Sequence, residues 1–214
     1  MSCAICEKRP PKRFCPAKGE RICAICCGTY REVTLDCPSD CPHLIAARRY
    51  DSEHGKRLGP REMPFPDVEF STEILRRNPE ALSAIGLAVL EFARANPAAR
   101  DPEIISALSA LAETYRTLES GIYFERPPDP PLPRALYIHL AGALQEFKKR
   151  ESQQTGFSRV KDSDIFRLLI FFLRLATHET NGRSRSRAFL DSLSSRFPDA
   201  AHLSQPEPSR IILP

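Results

Sequence analysis

The sequence predicts a mostly α protein, a small two-metal module at the N-terminus followed by an all-α helical bundle. All eight cysteines lie within the first 41 residues. From Ser71 onward apolar residues recur at helical spacing, interrupted by Asn-Pro, Asp-Pro and Gly signals. No run of alternating or continuous Val/Ile residues predicts a parallel sheet. The expected divisions are a metal module over 1–45, a linker over 46–70, the bundle over 71–200 and a flexible tail over 201–214.

In the module, the tetrapeptide CAIC occurs twice, as Cys3–Cys6 and Cys23–Cys26. A C-x2-C pair forms a tight knuckle that turns two sulfurs toward one ion. Tetrahedral zinc takes four such ligands, commonly from two knuckles. Cys15, Cys27, Cys37 and Cys41 remain, which makes a second four. Adjacent side chains of extended backbone point to opposite faces, so Cys26 and Cys27 are expected to serve different ions. That favours interleaved sites over a division into the first four and the last four. His43 follows Cys41 closely and is an alternative ligand, in which case one thiol is left free and oxidisable.

Two zinc ions are therefore the expected cofactors. A thioredoxin-type pair has the same spacing but opens a helix in a βαβ setting, which nothing here supplies. Iron–sulfur clusters also use four thiolates, but these spacings match no common cluster run.

The run Cys3-x2-Cys6-x8-Cys15-x2-Lys18-x4-Cys23-x2-Cys26 resembles the cross-brace zinc modules of the B-box, RING and HIT-finger kind. The likeness covers residues 1–45. It implies that Cys3, Cys6, Cys23 and Cys26 hold the first zinc. Cys15 would begin the second site, with Cys37 and Cys41 as its closing pair. Lys18 stands where those families place Cys, Asp or His, and Cys27 is expected to supply the missing ligand. The longer string CPAKGERICAICCGTYREVTLDCPSDC is similar to the start of bacterial Cys-rich proteins and implies no activity.

Residues 44–59 read as a short helix leaving the last knuckle, and the proline-rich GPREMPFPDVEF as an extended linker. Asn78-Pro79 opens a helix carrying Ala81, Leu82, Ile85, Val89 and Phe92, which Asn96-Pro97 stops. Asp101-Pro102 opens the next. There Ile104, Leu108, Leu111, Tyr115 and Leu118 step 4-3-4-3, a core seam that Gly121 ends. ERPPDPPLP reads as a stiff polyproline II spacer. Helices follow at 133–151, 163–178 and 184–197. The second of these is apolar nearly all round and is expected at the centre of the bundle.

Length and composition agree with this plan. The 214 residues suffice for one domain and a small module, and 42% hydrophobic residues can form a core. The most apolar run, IFRLLIFFLRLA, is too short for a membrane helix of about 20 residues and carries Arg167 and Arg174. The opening MSCAICEKRPPKR shows no apolar secretory segment, so a reducing cytoplasm is expected, where clustered cysteines more often bind metal or do redox work.

Charge argues only weakly for nucleic acid. Residues 1–61 hold twelve Lys/Arg against seven Asp/Glu. Eight zinc-bound thiolates would bring that excess down to about +1, since ligating cysteines are deprotonated. The cluster Arg48, Arg49, Lys56 and Arg57 reads as a solvated surface.

Catalytic signals are missing. His178, Glu179, Asn181 and Gly182 read as helix-stop chemistry. Arg183, Arg185 and Arg187 read as helical positions too divergent for one phosphate-binding face. Asp162 and Asp164 read as capping residues. There is no P-loop, GxGxxG, HExxH or GxSxG. The sequence thus predicts a non-catalytic adaptor or regulator with structural zinc and a protein partner. A thiol-based redox or metal sensor is the alternative, and a nucleic-acid-binding zinc protein a weaker one.

Overall fold

The computed structural model describes residues 2–55 and 58–197. Among them are a two-stranded sheet and eight helices. Strands β1 (Arg13–Cys15) and β2 (Glu20–Ile22) pair antiparallel, with Cys15 opposite Glu20. Gly19 closes their turn in the left-handed region at φ +68°. Helix α1 (Ala24–Tyr30) follows, and α2 (Pro42–His54) leaves the module with Pro42 in its first turn.

The bundle consists of the short α3 (Glu73–Arg77), α4 (Pro79–Ala95), α5 (Asp101–Glu119), α6 (Pro131–Thr155), α7 (Asp162–Glu179) and α8 (Ala188–Arg196). Its punctuation is that of the sequence. Pro79, Pro102 and Pro131 sit in first turns, where a missing N–H costs nothing. Asn96 ends α4 by turning its side-chain amide onto the Phe92 carbonyl at 2.9 Å. Gly121 follows the C-cap of α5 at φ +76°, and Gly156 caps α6 at +82°.

One apolar core joins α4 to α8. Ile104, Leu108 and Leu111 of the 4-3 seam are fully buried against α7 and α6. Helix α7 is central, burying Ile165, Phe166, Leu168, Leu169, Ile170, Phe172 and Leu173 on several faces.

Three segments differ from the sequence reading. Helix α8 begins at Ala188, not at Ser184, because its cap comes from elsewhere in the chain. The buried Asp101 carboxylate on α5 accepts from the amides of Phe189 (3.2 Å) and Leu190 (3.3 Å) and from the Ser186 hydroxyl (2.6 Å). Arg183, Arg185 and Arg187 therefore lie in the α7–α8 loop rather than on a helix.

The short helix expected over 44–59 is present as α2 to His54, and the departure lies farther along, where the stretch read as an extended linker packs Phe65 into the core. Arg174 of α7 straps it down, donating to the carbonyls of Pro64 (3.0 Å), Phe65 (2.6 Å) and Val68 (2.8 Å). The spacer helix α6 takes up Pro131 and Pro133, so only residues before it remain extended. The tail assigned to 201–214 lies outside the described residues, as do Lys56 and Arg57.

Candidate metal centre

The first knuckle is laid against the hairpin by backbone bonds. Cys3 N donates to the Arg9 carbonyl at 2.9 Å, and Ala4 N donates to the Arg21 carbonyl at 3.2 Å. Arg21 lies on β2, two residues before Cys23, so the two CAIC segments meet. The second knuckle opens α1. Cys23 is its N-cap, and its sulfur accepts from Cys26 N at 3.4 Å. Helix, not extended backbone, thus separates Cys26 from Cys27; successive helical residues diverge by about 100°.

Cys3, Cys6, Cys23 and Cys26 place their sulfurs all within 4.8 Å of one another. Zinc with four sulfurs at about 2.3 Å sets them roughly 3.8 Å apart, and Cys6 and Cys23 stand at 4.0 Å. The donors are all thiols, Ile22 is fully buried beside them, and Cys3, Cys23 and Cys26 are buried. This set fits a closed tetrahedral ion.

Its electrostatics point the same way. Burial opposes ionisation of Cys3, but amides of Cys6, Cys23 and Ile5 facing the sulfur bring it down to about 6. The Cys26 amide likewise lowers Cys23. Burial, reinforced by the neighbouring thiols, pushes Cys26 up to about 12. Four sulfurs this close cannot all carry charge unaided, and a divalent cation removes the conflict.

Cys15 at the end of β1, Cys27 on α1, Cys37, and Cys41 at the N-cap of α2 line one enclosed cavity with His43. Its volume is about 10 Å³, the room of roughly one water molecule. Burial raises Cys37, with Cys15 and Cys41 contributing through their charge. Burial and the nearby Arg13 and Arg31 hold His43 below its ordinary value, in the neutral form that ligates metal. This second set is looser: among the described residues, only in the first do three or more such donors lie within 4.8 Å of one another. Lys18 lies in the β1–β2 turn and is exposed.

The segment 28–39, bracketed by Cys27 and Cys37–Cys41, is the seat of the module on the bundle. Arg183 of the α7–α8 loop donates to the carbonyls of Gly28 (3.0 Å) and Arg31 (2.5 Å). Arg185 N donates to the Glu32 carbonyl at 2.8 Å. The Glu32 carboxylate, 1% exposed, accepts from Arg48 at 2.7 Å and from the Asn181 amide at 2.6 Å. Arg48 also reaches Asp191 on α8 at 2.6 Å, and Arg100 forks onto both oxygens of Asp36 at 2.8 Å.

Sequence reasoning gave Arg183 and Asn181 other roles and passed over Glu32, Asp36 and Asp191. The signal was weak, since each is a charged or turn residue of ordinary local context. The helix-stop role of Asn181 also holds locally, as α7 ends at Glu179 and Gly182 has φ +71°.

Fold and site together define a small cysteine-rich module clamped on an all-α bundle. Compared with protein families, characterised proteins and solved structures, the chain matches none.

Proposed function

We propose that the chain is a zinc-binding adaptor, with metal in a structural role and a protein partner. The carrying observation is the closed four-thiol cluster of Cys3, Cys6, Cys23 and Cys26. Four protein ligands leave no open position for substrate, and metal binding supplies folding free energy that so small a module lacks. A second zinc is assigned to Cys15, Cys27, Cys37 and Cys41, with His43 as the alternative ligand; their shared cavity supports this. A cross-brace arrangement of the kind found in B-box, RING and HIT fingers fits this pairing. Thiolate ligands suit a reducing cytoplasm, and no helix among the described residues is long and apolar enough to cross a membrane.

A protein partner is supported by Phe14, Ile25 and Val33, large apolar side chains that the module exposes. Nucleic acid is less well supported. Arg48 is engaged by Glu32 and Asp191, and Arg49 pairs with Glu53 at 3.0 Å.

Native mass spectrometry of the protein expressed with zinc, combined with thiol labelling, tests the reading. Two zincs and eight protected thiols support it. One zinc with reactive Cys37, Cys41 or Cys27 favours the metal or redox sensor instead, and bound iron refutes zinc.

A further inference from the structure

We propose that Cys6 is the reactive thiolate of the first cluster, the point at which hydroperoxides or soft electrophiles enter and release the metal. The inference rests on the metal reading above. Three of the four sulfurs are shut away: Cys3 is 0% exposed, and Cys23 and Cys26 are each 3% exposed. Cys6 is only half-buried and is followed by four exposed residues, Glu7 to Pro10.

The surroundings of the sulfurs differ too. The Cys3 sulfur accepts from Cys23 N at 3.2 Å and the Cys23 sulfur from Cys26 N at 3.4 Å. Such fixed amide donors draw electron density from a thiolate and blunt it as a nucleophile. Cys6 Sγ instead meets the exposed Arg9 guanidinium and Cys23 Sγ, each at 4.0 Å. It is covered by one flexible side chain and has a second sulfur within reach.

With a hydroperoxide, the Cys6 sulfur attacks the outer oxygen. An S–O bond forms, the O–O bond breaks, and the departing alkoxide or hydroxide takes a proton from water. Cys23 sulfur then attacks the sulfenic sulfur, forming the Cys6–Cys23 disulfide and expelling hydroxide. Two thiolates have given two electrons to the peroxide. Cys6 and Cys23 would then no longer be available to a bound ion, and α1 loses the thiolate that caps it.

The zinc-loaded full chain is treated with less than one equivalent of N-ethylmaleimide, or of hydrogen peroxide, then digested and mapped by mass spectrometry. The expected result is labelling at Cys6 at least fivefold above Cys3, Cys23, Cys26 and Cys37, with a Cys6–Cys23 disulfide after peroxide and zinc appearing in step with it. Arg9→Gln leaves every ligand in place. Removing a unit charge about 4 Å from a solvent-facing sulfur should speed labelling of Cys6 about fivefold.

Equal labelling of the four thiols, first reaction at Cys37, or an unchanged rate in Arg9→Gln each overturns the inference while the metal reading stands. A metal-free protein, counted in the same sample, overturns both.

Discussion

Arg48 of α2 pairs with Glu32 inside the module and reaches across to Asp191 on α8, so its removal weighs the seat of module on bundle. Glu32 is 1% exposed and has two side-chain donors, Arg48 and Asn181. Arg48→Ala removes the one positive charge among them and leaves a buried carboxylate facing a single neutral amide. Breaking a buried pair in this way costs about 3–5 kcal/mol. Arg48 and Asp191 keep 21% and 27% of their side chains exposed, which places the cost at the lower end, about 3 kcal/mol.

For a chain of this size each kcal/mol lowers the melting temperature by about 2–4 °C, so the fall should be about 6–12 °C. Far-UV circular dichroism of the zinc-saturated protein at pH 7 measures it. The double variant Arg48→Met/Glu32→Gln, which removes the buried charge together with its partner, should recover about 2 kcal/mol of the loss. A fall below about 2 °C, or no recovery in the double variant, would refute a desolvated pair at this interface.

The two cysteine sets should respond differently to loss of a ligand. Cys23→Ser removes one zinc and leaves the bundle's melting temperature within about 2 °C, whereas Cys37→Ser frees segment 28–39 and lowers it more; equal effects would contradict this division. Gly86 packs under Phe197, where an added Cβ would stand 2.7 Å from the ring. Gly86→Ala should therefore cost about 1 kcal/mol in urea titrations, and almost nothing when Phe197→Ala is already present.

The buried Asp101 carboxyl is held above its ordinary 3.8 by desolvation, against the pull of Ser186 and the α8 amides. A carboxyl that protonates more readily folded than unfolded adds stability below pH 3.8 that is lost as pH rises through its folded value. Asp101→Asn mimics the protonated form, so its disadvantage should shrink between pH 4 and pH 7. A growing disadvantage would reverse the assigned sign.

The bundle was legible because its helices are bounded by local punctuation. Asn78-Pro79, Asn96-Pro97, Asp101-Pro102 and Gly121 act on their own neighbourhoods, and the 4-3 spacing of α5 reports a buried stripe directly. What could not be read acts over distance. The start of α8 is fixed by Asp101, 88 residues before Phe189, a relation that no window contains. The hairpin strands are three residues each, too short for alternation to register.

In the module, C-x2-C spacing announced the first set, because a knuckle is a local object. Extended backbone would part Cys26 from Cys27 by pointing them to opposite faces, whereas the structure parts them by helical rotation. Arg174 appeared only as a charge unfit for a membrane, and its capture of three carbonyls depends on where Phe65 packs.

The clasp between residues 28–48 and residues 181–191 also sets an order of events along the growing chain. The module leaves the ribosome before the bundle, with all eight of these cysteines, while the loop and helix that receive it emerge some 150 residues later. Its thiols are therefore complete for metal capture long before Arg183, Asn181 and Asp191 exist as partners. Until then the Glu32 carboxylate has only Arg48 of its own segment as a partner, and segment 28–39 lacks its bonds to the α7–α8 loop. Once α7 has gathered Phe65, only a short connection separates it from the module, and closing the clasp costs little chain entropy. Seating of the module is then expected to follow assembly of the bundle, and a chain stopped before Asn181 would carry a module without its seat. Pulse-labelled hydrogen exchange during refolding should show protection of the Arg185 amide, which donates to the Glu32 carbonyl, arising after that of α5 and α7.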